Sequence, residues 1–158
     1  MKILTPATSA NLGPGFDSLG LSLKLYNEVT ITKQNFTSVC ISGEGSDKIG
    51  LKKNNTFVNI FNETMLYLTG KTPNFRFNFI NNIPFSRGLG SSSSVIVGAI
   101  ASAYHMAGFK VDRALVLNQA LKYEVIRIIS LRRYGEVLRQ ISCIKAQYIR
   151  KKLILVAI

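Results

Sequence analysis

The hydrophobic positions along this chain change period several times, and each change predicts an element. Met1 to Leu4 form a short apolar strand that Thr5-Pro6 should end, and the segment Asn11-Leu12-Gly13-Pro14-Gly15-Phe16-Asp17 reads as a compact turn, since Gly and Pro restrict the chain to tight loops. Leu19 to Thr32 alternates, with Leu21, Leu23, Leu25, Val29 and Ile31 on the apolar side, which predicts a long or paired strand. Val39 to Ile41 predicts another, closed by Gly43-Glu44-Gly45. Spacing then shifts to that of a helix: Phe57, Ile60, Phe61, Met65 and Leu68 follow a cap at Asn55 or Thr56 and stop at Gly70. Phe75, Phe77 and Phe79, separated by Arg76 and Asn78, restore a period of two and predict a half-buried strand ending at Pro84.

Beyond Pro84 the pattern becomes more informative. Pro84-Phe85-Ser86-Arg87-Gly88-Leu89-Gly90-Ser91-Ser92-Ser93-Ser94 runs directly into a stretch from about Ser92 to Ala107 that is apolar nearly all round and reads as a buried helix ended by Gly108. Asp112 is placed to cap a last helix, through Ala114, Leu115, Leu117, Ala120 and Leu121 to about Glu124. Strands that look largely antiparallel, mixed with three helices and free of internal repeats, define an α+β domain.

A small-residue loop that feeds a helix N-terminus suits a phosphate, because amides and the positive end of the helix dipole converge there. Gly88 and Gly90 let the backbone approach an anion, and the four serines offer hydroxyls to phosphate oxygens or to a magnesium ion. No Gly-Lys-Ser/Thr closes the loop, and no lysine lies between Arg87 and Lys110, so the lysine-bearing phosphate loop of many nucleotidases is excluded. A flexible Gly/Ser linker is the alternative reading; the strand-like and apolar flanks argue against it.

Length and composition suit one soluble domain with a real core. The longest apolar run, Val95 to Met106, is broken by Ser102 and His105 and is shorter than the ~20 residues of a membrane span. Two distant cysteines, Cys40 and Cys143, and the absence of a leader-like start point to the cytoplasm and to no metal-ligand spacing. His105 has no second ligand near it in sequence and reads as structural. The net charge of +12 would suggest nucleic acid or an anionic membrane, but the charge is unevenly placed. From Val125 onward eight Lys/Arg face a single acid, Glu136, in the last 34 residues.

Three residue sets carry a family resemblance: Pro6 to Gly20 (Pro-Ala-Thr-Ser-Ala-Asn-Leu-Gly-Pro-Gly-Phe-Asp-Ser-Leu-Gly), Ile83 to Ser94, and Glu124. Together they resemble the GHMP kinases, and the first set most closely resembles the homoserine kinases; mevalonate-type and galactose-type specificities fit that first set less well. The likeness covers Met1 to about Glu124 and implies the truncated N-terminal domain of that superfamily, with its ribosomal-protein-like βαβ fold, in a family whose members are roughly twice this long. It implies transfer of the γ-phosphate of ATP to the hydroxyl of L-homoserine in threonine biosynthesis, with magnesium as cofactor. By that resemblance Pro84 to Ser94 wrap the ATP phosphates, Ser92 and Glu124 serve catalysis as magnesium ligands, and Asn11 and Asp17 contact homoserine. A small-molecule substrate, no nucleic acid, no membrane and a homodimer in the intact enzyme complete what it implies.

After Glu124 the resemblance stops. The family continues Glu-x-His-Pro-Asp-Asn, then Pro-Ala and Gly-Gly, whereas this chain continues Val125-Ile126-Arg127-Ile128-Ile129-Ser130-Leu131. One permitted set of codons for Glu124 to Leu138, with a single G restored after the Glu124 codon, translates as Glu-Gly-His-Pro-Asp-Asn-Ile-Ser-Pro-Ala-Ile-Arg-Gly-Gly-Phe. Residues 1–124 are therefore expected to form an ATP-binding domain, and residues 125–158 an unrelated basic tail read out of frame. Lacking the His-Pro-Asp-Asn segment and the family's later glycine- and serine-rich loop, the chain as written is expected to bind nucleotide weakly, to phosphorylate no homoserine, and to expose sheet edges and apolar surface. Two other classes remain open: a nucleotide-binding or dimerisation module without catalysis, and a basic nucleic-acid binder whose affinity would fall steeply with salt.

Overall fold

A computed structural model describes residues 1–9, 21–131 and 154–156, with side chains through residue 123. The elements run β1 (Lys2–Ser9), β2 (Leu21–Lys33), β3 (Ser38–Gly43), α1 (Ile49–Lys53), α2 (Thr56–Thr69), β4 (Phe75–Asn81), α3 (Ser91–Met106), α4 (Arg113–Leu131) and β5 (Ile154–Val156). The five strands form one sheet in the order β3-β4-β2-β1-β5. All pairs are antiparallel except β3 with β4, which are parallel and joined through α1 and α2. Such a parallel pair needs a crossover, and the helices supply it. The α+β class and the βαβ unit are thus both present.

Alternation decides the two faces of the sheet. Ile3, Val29, Ile31, Phe75, Phe77 and Phe79 are all buried on one face, under α2 and α3. Phe57 and Phe61 of α2 meet the three β4 rings edge-on, with centroids 5.2 to 6.1 Å apart. That geometry sets the positive ring edges against the negative faces and adds to simple burial. α3 lies deepest: Ile96, Ala99, Ile100, Ala101 and Ala103 are fully buried between the sheet and its neighbouring helices, as its nearly uniform apolar surface requires.

Caps follow the chemistry of the chain. Asn55 Oδ1 accepts the Val58 N–H at 3.2 Å at the start of α2, and Gly70 terminates that helix. Asp112 Oδ1 accepts the N–H groups of Ala114 and Leu115 at 2.8 and 3.1 Å.

Two expectations are corrected. The first strand does not end at Thr5-Pro6 but runs to Ser9, with a register shift between Pro6 and Thr8; an irregularity is where a strand accommodates proline. The last helix continues past Glu124 to Leu131, because no Gly or Pro between those positions interrupts it. The opposite face, free of helices among the described residues, is mainly polar, carrying Lys2, Glu28, Thr30, Thr32, Arg76 and Asn78 alongside Leu4 and Ile80, while Leu66, Tyr67 and Leu115 expose apolar surface on the helices. Lys2 Nζ and Glu28 Oε1 pair there at 2.8 Å. That face can meet water without a covering layer. The short α1 was not foreseen, and β5 sets a piece of the basic tail beside Lys2 to Leu4 of β1.

Candidate phosphate-binding site

The loop between β4 and α3 is tied down at both ends, and its middle is open. At its start, the N–H groups of Asn82 and Ile83 both donate to Asn27 Oδ1, each at 2.9 Å, and the Ile83 side chain is fully buried. Asn82 Nδ2 also donates to the Tyr26 carbonyl at 2.9 Å. Phe85 packs on the β3–α1 turn, where the Lys48 ammonium stands 5.3 Å from its ring centroid and its own N–H donates to Glu44 Oε1 at 3.4 Å. Ser86, Arg87 and Gly88 then face solvent, with Ser86 at φ +58°.

At its far end the loop closes on β1. Thr8 N–H donates to the Leu89 carbonyl at 3.0 Å, and Gly90, at φ +66°, occupies the position that begins α3. A Cβ on Gly90 would lie 2.2 Å from Thr8 Oγ1 and 3.1 Å from the Thr8 carbonyl oxygen. Only glycine fits that contact in that conformation. Thr8 is fully buried, and its hydroxyl finds no hydrogen-bond partner among the described residues.

α3 has no side-chain cap and no acidic residue in its first turn. Its ladder begins at Ser94, whose N–H bonds the Gly90 carbonyl at 3.0 Å; the amides that precede a helical ladder are the ones that ligands reach. The four serines divide. Ser93 and Ser94 are buried, and the Ser94 hydroxyl donates to the Ser91 carbonyl at 2.7 Å while accepting from Asn27 Nδ2 at 3.4 Å. Ser91 and Ser92 stand half-exposed at the helix mouth.

Of the residues singled out from sequence, Pro84 to Ser92 thus lie together at the α3 N-terminus with at least partial exposure, whereas Ser93 and Ser94 turn inward and are buried. Glu124 lies on α4, which packs on α3. Asn11 and Asp17 lie outside the described residues, but Ser9 and Leu21, which flank their segment, pair with each other one residue from the Thr8–Leu89 bond. Asn27, Thr8 and Glu44 went unrecognised. Asn27 carried a faint signal: it stands where the alternation with Val29 and Ile31 calls for an apolar residue, and asparagine is uncommon in strands.

This layout, a mixed sheet whose strand-to-helix loop leads into the uncapped N-terminus of a buried helix, has counterparts among known proteins. Residues 55–130 match the family described as GHMP kinases N terminal domain. A mevalonate kinase structure from Methanococcus jannaschii superposes with a TM-score of 0.60 at 17% identity over 78% of this chain and 45% of that one. Over residues 55–130 the chain is thus similar to a GHMP kinase N-terminal domain, and it shares the fold of such a domain.

More particular relatives are homoserine kinases. The chain is 69% identical over 124 residues to homoserine kinase of Campylobacter concisus and 64% identical over 124 residues to that of Campylobacter lari, covering 78% of this chain in each case. A homoserine kinase structure from Cytophaga hutchinsonii superposes with a TM-score of 0.62 at 27% identity, over 78% of this chain and 40% of that one. The chain spans 42% of the length of the curated relatives it matches. Among the described residues, no helix is long and apolar enough to cross a membrane.

Proposed function

We propose that residues 1–124 are the nucleotide-binding part of a homoserine kinase, which moves the γ-phosphate of ATP to the side-chain hydroxyl of L-homoserine. The observation that carries this reading is the 69% identity to a homoserine kinase across 124 residues. Phosphoryl transfer asks a protein mainly to align reactants and compensate charge. Pro84, Phe85, Ser86, Arg87, Gly88, Leu89, Gly90 and Ser91 to Ser94 hold the ATP phosphates against the amides of α3. Asn11 and Asp17 hold homoserine, the Asp17 carboxylate answering the substrate ammonium.

No group of three or more His, Cys, Asp or Glu side chains gathers among the described residues. Magnesium binds kinases through one or two protein groups and the phosphates of the nucleotide. Ser92, half-exposed at the mouth of α3, and Glu124 on α4 are its proposed protein ligands. When bound, the ion neutralises charge on the phosphate oxygens. The cytoplasm is the proposed compartment, a homodimer the proposed state of the intact enzyme, and neither nucleic acid nor a membrane is a partner.

Residues 125–158 we read as translation out of frame after a one-base loss at codon 125. The 124-residue extent of the homoserine kinase matches and the eight-to-one excess of basic residues beyond residue 124 support this. The pairing of β5 with β1 is compatible with it, since main-chain bonding to an open strand edge reads no side-chain identity. On this reading the chain as written binds ATP without turnover, and the frame-restored gene product phosphorylates homoserine.

The test is ATP-dependent formation of homoserine phosphate by both proteins, with Gly90→Trp as a blank, together with the nucleotide sequence at codon 125. Turnover by the 158-residue chain above the blank refutes its inactivity, and a gene in which no single-base insertion near codon 125 opens a longer kinase-like frame refutes the out-of-frame reading. ATP binding without turnover in both proteins would favour a binding module instead.

A further inference from the structure

We infer that Asn27 is the positioning residue of the phosphate loop, holding the loop in its anion-binding shape before any nucleotide arrives; this rests on the nucleotide-site reading above. Asn27 sits on β2 at a core position, 4% exposed, between Tyr26 and Glu28. Its carboxamide reaches both ends of the loop. Oδ1 accepts two successive amides, Asn82 and Ile83, at 2.9 Å each. Nδ2 donates to Ser94 Oγ at 3.4 Å, and that hydroxyl donates in turn to the Ser91 carbonyl at 2.7 Å in the first turn of α3.

A single planar group thereby fixes the distance between the exit of β4 and the mouth of α3. The exposed span Ser86 to Gly88 is left to adapt, while the ends that aim the helix amides are held. A buried amide side chain is costly unless its groups are satisfied, and each of these bonds goes to the loop or to the helix it feeds, none to the hydrophobic core. A residue kept only for packing would be served by valine or leucine at this position, as at Val29 and Ile31. Preorganised ends also spare ATP the entropy of ordering the loop on binding.

The experiment uses the 158-residue chain and two variants, read by amide hydrogen exchange and by ATP titration at a temperature where the Phe77 amide stays protected. Asn27→Ala is expected to open the Asn82 and Ile83 amides to exchange at least tenfold faster while β4 stays protected, and to weaken ATP binding tenfold or more. Asn27→Asp keeps the acceptor for both amides, so their protection is expected to persist. It loses the donor to Ser94 and sets a negative charge beneath the helix mouth, so ATP affinity is still expected to fall.

Unchanged exchange at Asn82 and Ile83 in Asn27→Ala overturns the inference, as does full ATP affinity in that variant once those amides are open. Failure of the unsubstituted chain to bind ATP would instead overturn the nucleotide-site reading and, with it, the functional half of this one. The exchange arm would still decide whether Asn27 holds the loop.

Discussion

Replacing Gly90 by alanine tests the join between β1 and the β4–α3 loop, because Gly88 provides an internal control two residues away. Both glycines have positive φ, +66° at Gly90 and +70° at Gly88. An added Cβ costs about 1–2 kcal/mol in that left-handed region at either position. At Gly88 nothing lies within 4 Å of the new atom, so the backbone cost is the whole effect. At Gly90 the Cβ would stand 2.2 Å from Thr8 Oγ1 and 3.1 Å from the Thr8 carbonyl oxygen. That carbonyl is part of a sheet strand and cannot swing away, so overpacking adds about 1–3 kcal/mol.

Thermal unfolding followed by circular dichroism reads the difference directly. With about 2–4 °C per kcal/mol for a chain of this size, Gly90→Ala is expected to melt roughly 2–12 °C below Gly88→Ala. Adding Thr8→Ala to Gly90→Ala removes the hydroxyl in the way and is expected to recover about 1 kcal/mol as a coupling energy. Equal melting temperatures for the two glycine variants, or strict additivity in the double mutant, would show that Gly90 does not rest on Thr8.

Other outcomes follow from the fold. Phe77→Ala, at a fully buried ring enclosed by Phe57, Phe61, Phe75 and Phe79, is expected to cost about 3–5 kcal/mol in denaturant unfolding; a cost below about 1 kcal/mol would contradict this packing. Asp112→Ala should cost about 1 kcal/mol, since it removes the cap on α4, while Asp112→Asn should recover most of the loss. Burial, helped by the hydrogen bond at 2.8 Å from its hydroxyl to Glu63 Oε2, pushes the Tyr123 phenol from 10.0 up to about 12. The folded state therefore favours the neutral phenol: its contribution to stability is whole below pH 10.0 and is lost as pH rises toward about 12. A pH series of melting curves should show a steeper alkaline decline for the parent than for Tyr123→Phe, and parallel curves would count against the Tyr123–Glu63 contact.

Much of the architecture was legible because it rests on local periodicity. The Phe75, Phe77, Phe79 alternation yields a strand with one buried face, and the Asn55 and Asp112 caps stand where side-chain oxygens can reach the first amides of α2 and α4. Where local rules misled, longer-range pairing prevailed. Pro6 reads as a stop, yet β2 offers partners from Leu21 to Thr30, and β1 follows them through a register shift as far as Ser9. The loop itself could be recognised from its glycines and serines. Its anchors could not, because Asn27 lies 55 and 56 residues from the amides it holds, and 67 from Ser94.

The sequence by itself determined the alphabet of elements, the glycine- and serine-rich make-up of Pro84 to Ser94, the family resemblance through Asn11 to Gly20, and the break in composition after Glu124. Those are properties of neighbouring residues, set by dihedral preference, side-chain volume and hydrogen-bonding type. Tertiary structure decided which strand lies beside which, which two of the four serines face inward, and why Gly90 has no room for a side chain. Each of these depends on a surface that a distant part of the chain brings into contact, and only folding places Thr8 and Asn27 against the loop they support.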